Sequence, residues 1–428
     1  MDNKKYGYTS SEYKKFRLNS WIYLLLFSLL YCSHYCTRLN ISNITAFSES
    51  DLGIMTSTLF WCYGIGHLIN GRLGEIVGVR RFIILSVLLS VLANIVMGFQ
   101  SSILVMAIVW GFNGFFQSMA WSPGVSSLTA WWPGDKRGFA TGFANAFSGF
   151  GEVATKLMVV LAFALFPYDK FGWRPAFFVP AAFPVFMLII YVIFAKAGPK
   201  SVGLKDYEEE DADKAEKENE MAAIVKEKGV LYPYLHLVKN KIFLVWVFVV
   251  FASGLARYGL ATWIPKYLTK QGMEATSSIL TSIVLPIGMG IGTLIIPTLT
   301  DKFCPNNRLL ASVVSGFGAA ACIIGFMFLK PEGFQLVLMM LLLFFAGFFI
   351  YAINGVVWTF AADVGGRVFS STAAGILDFA AYMGAAIQSI LFGFILGNDN
   401  WNVLFISVAA FCFAIAIVSL FSSRKKKA

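Results

Sequence analysis

Charge is scarce in this chain. Of its 428 residues 14% are Asp, Glu, Lys or Arg, 57% are hydrophobic, and histidine occurs three times. A soluble protein of this length needs more polar cover, which excludes an ordinary water-soluble fold. Six cysteines (Cys32, Cys36, Cys62, Cys304, Cys322, Cys412) form no CxxC pair, and five lie inside apolar segments. They read as small buried apolar residues and argue against a disulfide framework or a zinc site. No GxxxxGK[ST] occurs, so an ATP-driven pump is not expected. A nucleophile–base or metal constellation is lacking too, so the chain reads as no enzyme, with no cofactor and no metal. The alternating period of a membrane β-barrel is missing. The first ~20 residues are polar and the apolar run after them is too long for a signal-peptide core, so no cleavable signal is expected.

What the chain has in abundance is long apolar runs. About twelve, from 21–46 through 401–422, reach the ~20 residues needed to cross ~30 Å of hydrocarbon as a helix. The expected fold is therefore an all-α membrane protein of twelve transmembrane helices. Lys and Arg concentrate in the N-terminal segment, in alternate loops (Arg80, Arg81, Lys136, Arg137, Lys302, Arg308) and in the tail "SRKKKA". Both termini are thus expected in the cytoplasm. The net charge of +10 reads as an orientation signal and an attraction to anionic lipid. Scattered over many loops, it forms no nucleic-acid patch.

A mixed-charge stretch, "KDYEEEDADKAEKENEMAAIVKEKG", divides the runs six and six. The expected organisation is a six-helix bundle over 1–196, a solvated cytoplasmic connector over 197–240, and a second six-helix bundle over 241–428. The halves echo each other: "GRLGEIVGVRR" and "TDKFCPNNR" follow the second run of each, and "PGDKRG" and "ADVGGR" follow the fourth. Duplicated, pseudo-symmetric bundles place a site between them at mid-membrane. Acidic and basic residues in these loops suit locks between helix ends.

Two arginines lie inside apolar runs at matching depth. Arg38 comes 17 residues after Trp21 and Arg257 comes 16 after Lys241, each roughly 25 Å along its helix. A charge within the bilayer is costly unless it faces water or a partner. One reading has both side chains snorkel to the interface; the other has both face a central cavity and fork an anion. Trp263 and Tyr267, beyond Arg257, mark the interface better than the arginine does. A guanidinium keeps its proton and matches phosphate or carboxylate oxygens with planar donors.

The segments "YCTRLN", "DLGIMTSTLFWCYGIGHLINGRLGE", "FNGFFQSMAWSPG", "WWPGDKRG", "GPKSVGL" and "ARYGLATWIPKYL" resemble, in order through both halves, the organophosphate:phosphate antiporters of the major facilitator superfamily. That group includes glycerol-3-phosphate and hexose-phosphate carriers. The resemblance implies a phosphate-gripping role for Arg38 and Arg257, and cavity roles for Tyr35, Tyr63, Gln117, Trp121 and Tyr351. Ordinary helix packing is the competing reading for those five. A family histidine on helix 5 is replaced by Phe147 within "FANAFSGFGEVATK", and a family lysine on helix 2 by His67, which is a substrate-binding candidate on that ground. These departures leave glycerol 3-phosphate itself open as the cargo.

New charges appear in its place. Glu152 and Lys156 are four apart on one helix face in the favourable order, and Asp378 lies in "AGILDFAAYMGAA". Three cations (Arg38, Arg257, Lys156) against two acids leave a net +1. The acids either neutralise Lys156 as a structural pair, take a proton during the cycle, or meet a cationic group on the solute. His34 lies one turn before Arg38 and reads as a packing residue or a proton relay. His34, Glu152, Lys156 and Asp378 are the candidates for charge coupling.

The expected activity is secondary active transport of a small organic anion by alternating access. A phosphorylated metabolite would exchange for inorganic phosphate, since an empty positive site resists closure. Two alternatives remain: proton- or cation-coupled symport of an organic carboxylate, and membrane sensing of sugar phosphates. The expected setting is the cell (inner or plasma) membrane, as a monomer, with the solute, phosphate and lipid as partners and no nucleic acid.

Overall fold

A computed structural model of the chain describes residues 6–133, 136–207, 223–224, 227–229, 231–304 and 307–424, with side chains left aside at 71, 72, 75, 301, 359, 362–371 and 424. Most of the charged connector within 197–240, Lys4, Lys5 and the basic tail after Arg424 lie outside the residues so described, as do the side chains of "ADVGGR". The rest is helices and connecting turns.

The long helices are α1 (Ser10–His34), α2 (Glu49–Val77), α3 (Val79–Phe99), α4 (Ile103–Trp131), α5 (Arg137–Leu165), α6 (Pro175–Phe194), α7 (Lys241–Lys270), α8 (Val284–Phe303), α9 (Leu309–Met327), α10 (Gly333–Leu396) and α11 (Trp401–Arg424). Eleven stretches among the described residues are long and apolar enough to cross a bilayer, two of them (Gly333–Trp358 and Thr372–Leu396) within α10. Tyr351 and Tyr382 line one cavity, although a straight helix would hold them about 46 Å apart. The chain therefore doubles back between the two spans. The twelfth helix of span length is α1, whose 25 residues turn Ser20, Ser28, Ser33 and His34 inward.

Local signals set the ends. Thr9 caps α1 in a reciprocal capping box with Glu12, and Ser48 caps α2 by accepting from Asp51 N. Asn240 accepts from Ile242 N and Phe243 N at the start of α7. Gly78, at φ 94°, is the single-residue corner between α2 and α3, a conformation glycine adopts freely. Polarity is turned inside out, as a bilayer requires: Leu85, Leu88 and Leu92 on α3 and Ile189 and Ile193 on α6 are exposed, while Asn40, Asn94, Asn113 and Gln388 are fully buried.

The halves meet along two seams. α2 crosses the second span of α10, where Ser57 Oγ donates to Ala386 O at 2.9 Å and a Cβ on Gly53 would lie 2.9 Å from Gly393 Cα. α5 crosses α8 at Gly149, whose Cβ position lies 2.7 Å from Gly290 N. At the end of the bundle away from the termini, Glu49 is 3.5 Å from Lys266 and 3.7 Å from Lys270, and Lys270 is 3.2 Å from Asp399. Lys266 Nζ also donates to Phe47 O. Of the loops near the termini where locks are expected, Arg72, Glu75, Asp135, Asp301, Asp363 and Arg367 lie outside the described side chains; at the opposite end, among the described residues, Glu49 and Lys266 form an ionic link across the halves.

Candidate functional site

The site begins where α1 fails. The apolar run suggests one helix through residue 46, but the α-helix stops at His34. It continues as 3₁₀ turns at Tyr35–Thr37 and Ile41–Asn43, with Arg38 between them at φ −121°, ψ −49°. In a membrane the carbonyls freed by such a break need protein donors. Thr37 O accepts from Asn94 Nδ2 at 2.8 Å and from Asn113 Nδ2 at 2.7 Å. His34 O accepts from Gln117 Nε2 at 3.1 Å. Ser90 Oγ donates to Asn113 Oδ1 at 2.7 Å and accepts from Gln117 Nε2 at 2.9 Å, and Asn40 Nδ2 donates to Asn94 Oδ1 at 2.9 Å. A polar clasp on α3 and α4 thus holds the segment that carries Arg38. Broken helices near the bilayer midplane are where carriers place their ligand sites.

Both arginines point inward, with Arg38 1% exposed and Arg257 4%, so neither snorkels to lipid. The Arg38 guanidinium carbon lies 4.0 Å from the ring centre of Tyr35 and 4.7 Å from that of Tyr63. Its Nε, Nη1 and Nη2 have no hydrogen-bond partner among the described residues. Arg257, mid-way along α7, lies 4.0 Å from the ring of Tyr351, 4.6 Å from Tyr258 and 5.9 Å from Tyr35. Tyr35 is therefore shared, which holds the two guanidiniums within about 10 Å of each other. Arg257 Nη2 donates to Glu152 Oε1 and lies 3.5 Å from Tyr35 Oη.

Arg257, Tyr35, Tyr63, Tyr258 and Tyr351 border a small central cavity. Arg38 is not on its wall but lies against Tyr35 and Tyr63, which are. Tyr35, Tyr63, Trp121, Tyr351, Arg257 and Asp378, all anticipated, line the cavity. So do Tyr31, Tyr258, Trp358 and Tyr382, which were not anticipated. Two of those carried a readable signal: Tyr258 follows Arg257, and Tyr382 is one turn beyond Asp378. Ser148 and Tyr351 hydroxyls share a hydrogen bond across the halves.

The remaining candidates lie elsewhere. Gln117 is not on the cavity wall, because its amide is spent on the α1 backbone and on Thr37 Oγ1, 3.0 Å away. His34 is buried behind the wall, and its Nε2 is without a partner among the described residues. His67 Nδ1 is 3.1 Å from Ser122 Oγ and 3.7 Å from Asp378 Oδ2. Lys156 does not close on Glu152: its Nζ donates to Asn43 Oδ1 at 3.1 Å and to Ser282 Oγ at 2.9 Å. Lys156 and Glu152 both border a second, smaller cavity with Ser42, Asn43 and Thr262. Phe147 packs between Phe143 and Phe150.

Residues 18–387 match the model of the Major Facilitator Superfamily. The chain belongs to that superfamily. This major facilitator is a multi-pass membrane transporter. It is 28% identical to the glycerol-3-phosphate transporter of Bacillus subtilis over 96% of this chain and 93% of the relative. It is 26% identical to a probable hexose phosphate transport protein of Chlamydia pneumoniae over 87% and 82% of the two chains. Among solved structures, a bacterial homologue of the human lysosomal transporter Spinster, crystallised inward-facing and unoccupied, superposes with a TM-score of 0.66. It covers 95% of this chain and 96% of that one at 15% identity, a likeness of fold alone. Relatives named for phosphorylated solutes agree with the resemblance to organophosphate carriers read from the motifs.

Proposed function

We propose that this major facilitator carries a phosphorylated metabolite across the membrane in exchange for inorganic phosphate, by alternating access. The observation that supports it most is the pair of buried arginines, one from each half, against one tyrosine ring beside one cavity. Arg38 keeps three nitrogens without partners among the described residues, free to fork phosphate oxygens. An anion held by Arg38 on the α1 side and Arg257 on the α7 side draws the halves together. Rocking then opens the far end, where the lock between Glu49, Lys266 and Lys270 must part. The positive-inside pattern makes that end the outer face, and a single chain suffices for the cycle.

Purified protein in phosphate-loaded vesicles tests this. Counterflow of labelled phosphate, inhibited by external phosphate esters, is expected to persist when a protonophore collapses the pH gradient. A second reading, proton-coupled uptake of an organic anion, draws on Glu152: protonation would free Arg257 for the guest. That reading requires uptake to stop with the protonophore, and absence of any phosphate counterflow sinks the exchange.

A further inference from the structure

One acid on the central cavity, Asp378, pairs with no lysine or arginine among the described residues. Arg257 is already matched by Glu152, 2% exposed. Asp378 lines the same cavity, and its own helix offers it no cation one turn away, with Ala374, Gly375, Ala381 and Tyr382 at those positions. Across the interface it faces His67 at 3.7 Å, whereas His67 Nδ1 reaches Ser122 Oγ at 3.1 Å. His67 Nε2 is buried without a partner among the described residues. A second proton on that ring would be left unpaired in a buried place, so His67 stays neutral. A phosphate ester that also bears an ammonium group would give Asp378 a counter-ion and still offer its phosphate to the arginines.

The aromatic rings divide in the same way. Of those lining the cavity, Tyr35, Tyr63, Tyr258 and Tyr351 are each covered by an arginine. Tyr31, Trp121, Trp358 and Tyr382 also line it, and among the described residues none has a cation over its face. Trp121 lies 4.6 Å from Tyr31 and 5.7 Å from Trp358 between ring centres. Tyr382 lies one turn from Asp378. Electron-rich rings beside a carboxylate without a cation are what an ammonium group needs.

We propose, resting on the phosphate-carrier reading, that the cargo is a small phosphorylated or phosphonylated amine, its phosphate on the two arginines and its ammonium group between Asp378 and the cation-free rings. Inorganic phosphate serves as the counter-substrate.

The test is competition against labelled-phosphate counterflow in vesicles containing the intact carrier. O-phosphoethanolamine is compared with propyl phosphate, which has a methyl in place of the ammonium. Phosphocholine is compared with 3,3-dimethylbutyl phosphate, its uncharged counterpart. The amine of at least one pair is expected to half-inhibit at a concentration about tenfold or more below its isostere. Asp378→Asn is expected to bring that ratio close to one. Equal potency within both pairs overturns the inference and leaves the phosphate carrier standing, as does a ratio that survives in Asp378→Asn. If that variant does not assemble, the wild-type ratios decide. Absence of phosphate counterflow removes the carrier reading and this inference together.

Discussion

Glu152 lies against Arg257 across the interface between the halves, not against Lys156, its neighbour one turn along the same helix. The carboxylate occupies a guanidinium face that an incoming anion would use. Breaking such a buried pair strands a charge, at about 3–5 kcal/mol. Glu152→Gln is therefore expected to melt several degrees lower without ligand. It should bind phosphate more tightly, because the internal competitor is gone. Thermal unfolding in detergent across a phosphate series reads both effects. Weaker phosphate binding in the variant would mean that Glu152 holds the solute and does not compete with it.

Arg38→Lys separates charge from shape. The substitution keeps one positive charge but loses the planar fork. The Arg38 nitrogens make no hydrogen bond to the described protein, so stability is expected to fall by no more than about 1–2 kcal/mol. Phosphate counterflow should fall more than about tenfold, the worth of one charge-assisted contact. A variant with full counterflow would dismiss Arg38 as the anion grip.

Asn113→Leu tests the clasp on the broken helix. Thr37 O would keep only its bond from Asn94, and Ser90 would lose an acceptor. Orphaning buried polar groups costs about 1–3 kcal/mol. A lower melting temperature and a weakened affinity for phosphate are expected together, though Asn113 is not on the cavity wall. A drop in stability with affinity untouched would make the clasp purely structural.

Glu49→Gln removes the acid shared by Lys266 and Lys270. Loss of about 1 kcal/mol from the lock shifts the balance of states roughly fivefold toward opening at that end. The measurement is labelling of a cysteine at Thr262, in a cysteine-free background, by a membrane-impermeant maleimide added from outside. Labelling no faster than in the unmutated background would show that the lock does not gate.

These outcomes turn on features unequally visible in the amino-acid order. The spans were legible because each is a long apolar run, and the arginine pair because a charge has no ordinary place in one. The break in α1 was not, since apolar residues continue through Ile41 and Ile44 and nothing local marks where α turns to 3₁₀. Its cause is distant: Asn94 and Asn113 on other helices supply the donors. The partner of Glu152 was not legible for a related reason. Spacing of four favours Lys156, but spacing ranks only partners on the same helix, and Arg257 is 105 positions away. Gln117 matched a family position by residue type, which does not say which way an amide points.

At Gly53 against Gly393, and at Gly149 against Gly290, the halves meet through bare main chain. Surfaces without protruding groups have nothing to unmesh, so they can tilt past each other with little change in packed volume. A single methyl at Gly53 or Gly149 would act as a doorstop. It would prop the far mouth ajar and leave a loaded carrier unable to seal behind its passenger.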